Sequence, residues 1–436
     1  MRRRSTIAGR AALAAFGTAA ALVAAPAQPV PVAAPAAQVA RVAPDMSPVA
    51  LSTSTLSPTD RRIDAKLTAR ATNRQLGRDL TGQVRDARSR QALWSQRPGT
   101  RQLPASTTKL VTAVNALSTF GPAHRIKTTV RKGSTWRRVV IVGSGDPTLS
   151  RPKMKRLAAA TATAVRAHGV RRVTVLVDDS LFPRPSLAYG WKRGYMPTDV
   201  SPVRALVVSQ HRRWDTSIDA GKVFAELLAG YGVKTRSVVR GRAVAGAPAL
   251  ASVLSRRMDG IVASMLLPSD NDHAEALHRL VALRTGHRAT WSGAAAAQRK
   301  VLAKLGVDLG TARLYDGSGL SRADRLTAAK LVAILSLAVD GNHPRLASLP
   351  GSLPVAGRSG TLAANYLRYT TWPSRCAVGL IQGKTGSLSG VITLAGYAKG
   401  ADGRSKAFAF LANGVPSTLT TRRAVDRLAS TITGCW

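Results

Sequence analysis

Ser106 and Lys109 stand three residues apart in Ser-Thr-Thr-Lys, directly before the run LVTAVNAL. In that run Leu110, Val111, Val114 and Leu117 recur at helical spacing. The segment is therefore predicted to be a buried helix with Ser106 at or near its N-terminus. Lys109 then lies one turn on, along the same face. A serine hydroxyl is a poor nucleophile until a base takes its proton. A lysine serves as that base once burial and a second cation disfavour its charged form. The helix start favours negative charge developing on Ser106, and it frees the Ser106 N–H to point at an oxyanion. Two more short patterns follow. Ser269-Asp270-Asn271 ends an apolar stretch, and Lys384-Thr385-Gly386 ends a strand-like run. Lys384 is a candidate for the second cation. Alone, Lys109 would read as a solvated surface charge. Ser150 to Lys153 repeats S-x-x-K, contains Pro152, and reads as a helix cap.

The elements that must position these residues give an α/β (α+β) chain. Before the Ser106 helix, a helix capped by Ser57 or Thr59 and the stretch QLGRDLTGQVRDARSRQALWSQ, which reads as a hairpin, are expected. After it come strand-like RRVVIVG, helical MKRLAAATATAVRAHGV and strand-like RRVTVLVDD. Residues 180–215 are rich in Pro, Trp, Tyr and Gly and read as irregular. Helical patterns return from VLSRRMDGIVASMLLPSDN onward. The last hundred residues turn β-rich, and RRAVDRLASTIT closes the chain as a helix. Adjacent Asp178 and Asp179 point to opposite faces of a strand, which argues against a paired acid–base role. His273, Glu275 and His278 do not have metal-ligand spacing, so no metal is expected, and Glu275 reads as a structural anchor beside Ser-Asp-Asn.

The chain has 436 residues and a formal net charge of +42. Such a charge first suggests nucleic acid. The arginines are scattered, aromatics make up only 5%, and no nucleic-acid-binding motif occurs, so no nucleic acid is expected. An anionic cell wall or membrane surface fits the charge. The start of the chain gives the compartment. MRRRSTIAGR is a basic n-region, AALAAFGTAAALVAA is an apolar h-region, and APA at 25–27 offers a cleavage site. Residues 1–27 are thus read as a signal peptide and 28–57 as a Pro/Ala-rich linker. Two cysteines, Cys376 and Cys435, in an exported chain suggest one disulfide worth about 4 kcal/mol, with two free thiols as the alternative.

S-x-x-K, S-x-N and K-T-G in this order mark penicillin-recognising serine enzymes. With PASTTKL, PSDN followed by AE, GDPTL (145–149), DGSGLSR (316–322), LPVAG with GTL (353–362) and KTGSL, the sequence resembles the D-alanyl-D-alanine carboxypeptidase/endopeptidase family, the low-molecular-mass class C penicillin-binding proteins. The similarity runs from about residue 58 to the end. Ser269 lies 163 positions after Ser106, a gap that fits a family with domains inserted between its first two motifs. The resemblance implies a penicillin-binding, transpeptidase-like domain with a five-stranded antiparallel sheet flanked by helices. It would be built from 58–139 and 255–436, with an inserted region at 140–254.

The resemblance also implies roles. Ser106 would be the acylated nucleophile and Lys109 its base. Ser269 would relay a proton to the leaving D-alanine, and Asn271 would hold the substrate amide. Lys384 and Thr385, with Gly386 beside them, would bind the terminal carboxylate. The N–H groups of Ser106 and Ser387 would form the oxyanion hole. Peptidoglycan stem peptides and β-lactams are the implied partners, outside the cytoplasmic membrane, with no cofactor. The chain departs from the family at Ser387, where many members carry threonine, and at GSGDP, where a glycine triplet is usual. NYLRYTTWPSRCAVGLIQG is also atypical and reshapes one wall of the site. Two rival readings remain. A serine β-lactamase would need a water-activating glutamate, and neither Glu226 nor Glu275 is placed for it. A non-catalytic wall-binding protein would suit the charge.

Overall fold

A computed structural model describes residues 56–436. The segment read as a signal peptide, and all but the last two residues of the linker, lie outside the described residues. In chain order the helices are α1 (Pro58–Ala71), α2 (Thr108–Phe120), α3 (Arg151–Arg166), α4 (Thr216–Ala229), α5 (Met258–Leu266), α6 (Asn271–Arg284), α7 (Trp291–Lys304), α8 (Ala328–Ser336) and α9 (Leu419–Ile432). The strands are β1 (Thr81–Asp86), β2 (Ala92–Gln96), β3 (Arg101–Gln102), β4 (Arg125–Lys132), β5 (Arg138–Val142), β6 (Arg172–Asp178), β7 (Lys234–Arg240), β8 (Ala249–Arg257), β9 (Leu326–Thr327), β10 (Ile381–Leu388), β11 (Val391–Lys399) and β12 (Ser405–Asn413).

The first sheet has the order β10-β11-β12-β1-β2, and every pairing in it is antiparallel. This is the five-stranded antiparallel sheet expected. Its two faces are packed differently, and β12 shows why. In its run KAFAFLA, Ala407, Ala409 and Leu411 face a core shared with α2, α5, α6, α7 and α8. Phe408 and Phe410 face the opposite core, shared with α1 and α9. Alternation along a strand sends successive side chains to opposite faces. The small alanines let the helices beside the site pack close, while the rings fill the space under α1 and α9. Helix α1 starts where Ser57 Oγ accepts from the Asp60 N–H at 3.1 Å.

The second sheet has the order β7-β6-β5-β4-β8. Strands β5, β6 and β7 run parallel and are joined through α3 and α4, while β4 pairs antiparallel with β5 and β8. Parallel neighbours require such crossovers. The sheet begins at Arg125, so the region read as inserted, 140–254, starts inside β5.

One local expectation is corrected. Val253–Arg257 was read as helical and belongs to strand β8. Its buried positions, Ala251 and Ser255, are four apart, a spacing that suits one face of a strand and one face of a helix alike. Pairing with β4 decides between them, and the helix begins only at Met258, whose N–H meets the His124 carbonyl at 2.8 Å. Ser150 stands at the N-cap of α3, but its hydroxyl makes no capping bond. Among the described residues, no helix is long and apolar enough to cross a membrane. Cys376 and Cys435 are bonded, with Cα atoms 6.0 Å apart.

Candidate active site

Ser106 sits in a single 3-10 turn, Ala105–Thr107, that leads directly into α2. Ala105 is held at φ 47°, a left-handed conformation costly for any residue with a Cβ. Two glycines make this turn possible. A Cβ on Gly319 would lie 1.9 Å from the Ala105 carbonyl oxygen. One on Gly386 would lie 3.0 Å from both the Ser106 nitrogen and the Pro104 oxygen. The Ser106 turn is thus clamped between the 316–322 loop and β10, backbone against backbone.

Lys109 is completely buried. Its Nζ donates to Ser106 Oγ at 3.0 Å, to Asn271 Oδ1 at 2.7 Å and to the Ser318 carbonyl at 2.8 Å. All three partners are neutral. Burial brings its pKa down to about 8, against an opposing pull from Asp316, Glu275 and Asp270, with Arg212 adding to the depression. Lys384, the candidate second cation, is near enough for its charge and that of Lys109 to act on each other. Lys384 is also fully buried and lies well below the ordinary lysine range, first through burial, then through the charges of Lys109 and Arg368.

The remaining predicted residues surround this pair. Lys384 Nζ donates to the Thr385 carbonyl at 2.7 Å, and Thr385 Oγ1 shares a 2.7 Å hydrogen bond with Thr361 Oγ1. Ser387 is exposed, one residue beyond Gly386 on β10. Ser269 is partly exposed, has φ 64°, and its hydroxyl makes no hydrogen bond among the described residues. Asn271 opens α6. Its Oδ1 faces Lys109 and its Nδ2 donates to the Asp199 carbonyl at 2.8 Å. Its amide is therefore already engaged at both ends. Asp270 caps the same helix through the His273 N–H. Burial would raise Asp270, but the His273 side chain beside it holds it down at about 2.

Behind Lys109 lies a layer of which the sequence marks only Glu275, as a structural anchor. Glu275 accepts the Gly317 N–H at 3.1 Å and the Ser318 N–H at 2.8 Å, which turns the Ser318 carbonyl toward Lys109. Asp316 accepts from the Gly319 and Ser321 N–H groups, both at 2.7 Å, and from Trp191 Nε1 at 2.6 Å. Burial, then Asp316, push Glu275 up to about 8, and the same two causes raise Asp324 well above the carboxylate range. Glu275 thus anchors the 316–322 loop. Ser318, Asp316 and Thr361 all fall in stretches quoted above as family contexts. Trp191 and Asp199 come from the irregular 180–215 stretch, and no local pattern marks them.

A serine-x-x-lysine helix start clamped against the edge strand of a five-stranded antiparallel sheet defines a penicillin-binding peptidase fold. The comparisons narrow the class. The model of the D-Ala-D-Ala carboxypeptidase 3 (S13) family matches residues 63–214 and 193–432. Carboxypeptidase DacB of Mycolicibacterium smegmatis is 35% identical, over 90% of this chain and 88% of its own length. A D-alanyl-D-alanine carboxypeptidase of Actinomadura sp. is 29% identical over 76% and 77%. Penicillin binding protein 4 (dacB) from Haemophilus influenzae has a similar fold, with a TM-score of 0.72 at 21% identity over 85% of this chain and 98% of that one. The chain belongs to the D-Ala-D-Ala carboxypeptidase 3 (S13) family, and it is an enzyme, a serine-type hydrolase of that family.

Proposed function

We propose that the chain cleaves the D-Ala–D-Ala bond of peptidoglycan stem peptides through an acyl-enzyme on Ser106. The observation that carries this reading is the 3.0 Å contact between Ser106 Oγ and the fully buried Lys109 Nζ. Neutral Lys109 takes the hydroxyl proton as Ser106 attacks the carbonyl of the penultimate D-alanine. The tetrahedral oxyanion is received by the N–H groups of Ser106 and Ser387. Ser269, whose hydroxyl is uncommitted, passes its proton to the departing amine and takes in its place the one Lys109 gained, so that Lys109 is neutral again. Lys384 and Thr385 receive the terminal carboxylate, and Asn271 exchanges a present partner for the substrate amide. Water then attacks the ester, Lys109 again serving as base, and Ser106 is regenerated. The same attack opens a D,D-cross-link, because the acyl side of that bond is the same D-alanine. A β-lactam acylates the same serine, and its opened ring stays attached. The substrate places the enzyme outside the cytoplasmic membrane.

The test is intact mass after brief exposure to benzylpenicillin, with Ser106→Ala as control. A persistent one-to-one adduct on the wild type alone supports the reading. Absence of both adduct and drug hydrolysis overturns it in favour of a non-catalytic wall-binding protein, and fast hydrolysis without an adduct overturns it in favour of a β-lactamase. D-alanine release from a pentapeptide stem then checks the natural reaction.

A further inference from the structure

A cleft of about 1150 Å³ opens outside the site, at the carboxyl ends of β6 and β7, where Asp178 and Asp179 meet Arg240 and Arg242. Five arginines line this one: Arg184, Arg193, Arg204, Arg240 and Arg242. Two of them are tied down. Arg204 and Arg240 pair with Asp179 at 3.3 and 3.2 Å and with Asp215 at 3.5 and 2.7 Å. Asp178 spends its oxygens on the Ser180 hydroxyl and the Ala243 N–H. The side chains of the other three, Arg184, Arg193 and Arg242, are exposed and make no hydrogen bond or ion pair among the described residues, although the charge of Arg242 helps hold down the pKa of Asp178. Trp214 stands in the lining and is 60% exposed.

Three exposed guanidiniums, none of them hydrogen-bonded, around an open indole form a composite surface. Guanidinium forks match carboxylate and phosphate oxygens, and a flat, exposed indole presents a large apolar face with a polar edge. We propose that this cleft binds an anionic saccharide chain, with a sugar face against Trp214 and carboxylate or phosphate groups on Arg184, Arg193 and Arg242. One segment joins cleft and active site. Arg193, Met196 and Arg204 line the cleft, while Trp191 reaches Asp316 and the Asp199 carbonyl holds Asn271. A wall polymer seated in the cleft therefore lies against the same segment that closes the site. The binding itself does not depend on the acyl chemistry proposed above.

The experiment measures equilibrium binding of two soluble probes to the full chain: carboxylate-bearing peptidoglycan strands, and a glycosylated poly(ribitol phosphate). Arg184→Gln/Arg193→Gln/Arg242→Gln is compared with Arg74→Gln/Arg88→Gln/Arg288→Gln, which removes the same charge from exposed sites elsewhere. Circular dichroism and thermal midpoints check that both fold. The cleft triple is expected to weaken at least one probe roughly tenfold, with the control triple near wild type. Trp214→Ala is expected to weaken the same probe about threefold. The probe affected identifies the source of the anion. Equal losses in the two triples, or no binding of either probe to the wild type, overturn the proposal. Binding that needs the arginines but not Trp214 overturns its saccharide part.

Discussion

Lys109 and Lys406 are both completely enclosed in the protein, yet their surroundings differ in kind. Lys406, on β12, is caged by carboxylates: Asp402 at 2.8 Å, Asp60 at 3.0 Å and Asp86 at 3.3 Å. Arg404 closes the cage from outside, through Asp60, Asp86 and Asp402. The cage ties α1, the end of β1 and β12 together. Lys109 meets a hydroxyl, an amide oxygen and a peptide carbonyl, and its nearest acids stand one layer back. A buried ammonium among formal anions is a fixed structural cation. One among neutral dipoles lies close to losing its proton and becoming a base. The same residue type, equally buried, is thus given two duties by the charge of its immediate partners.

Exchanging each lysine for methionine sharpens this contrast. Lys109→Met is expected to lower the rate of acylation by benzylpenicillin about 10⁴-fold while leaving denaturant stability unchanged or raised. In the wild type, the acylation rate should rise about tenfold per pH unit and level off above about 8. The sign follows from the depressed pKa: protonated Lys109 dominates below that value and cannot accept the Ser106 proton. A rate that is flat from pH 6 to 9 would remove Lys109 from the base role. Lys406→Met has the opposite profile. It leaves three carboxylates facing one another, and urea titration should show a loss of about 3–5 kcal/mol, while the fraction still folded acylates normally. If both variants lose the same property, partner charge is not what separates the two sites.

Lys384→Gln probes the third buried lysine. Cleavage efficiency on a peptide ending in a free carboxylate should fall about 100-fold, and that on the corresponding amide far less. Equal losses on both peptides would detach Lys384 from carboxylate recognition. Thr385→Val removes one hydroxyl from the Thr361–Thr385 pair, and kcat/KM should fall about tenfold or less.

The parts of the fold legible in the sequence are those specified locally. The α2 helix follows from its apolar period, the β1–β2 pair from alternation around a turn, and the Ser106–Lys109 contact from three-residue spacing. The second sheet was only half visible. In β4 the inward positions are Ile126, Thr128 and Val130, set between Arg125, Lys127 and Arg131, so a threonine and a dense basic face disguise the alternation. In β7 the strand is mostly exposed, and no buried row marks it. The carbonyl of Ser318, and which loop atoms Glu275 anchors, were illegible for another reason. They depend on backbone atoms of a loop folding over α2 and α6, and side-chain pattern does not encode where a carbonyl points. The depressed pKa of Lys109 is foreseeable from its place in an apolar helix, but the extent of its burial, the largest cause, depends on elements far away in the sequence.

The left-handed Ala105 carries a consequence for any attempt to make this enzyme hardier. Glycine at 105 would adopt φ 47° without the cost of about 1 kcal/mol that alanine bears, a small gain that selection for robustness alone would welcome. The same substitution would let the next residue wander, and Ser106 Oγ must stay in register with a lysine that has no room to follow it. Ala105→Gly is therefore expected to melt no lower than the wild type and to acylate a few-fold more slowly, as thermal scans and penicillin kinetics on one preparation would show. Endurance and speed are set against each other at a single backbone angle.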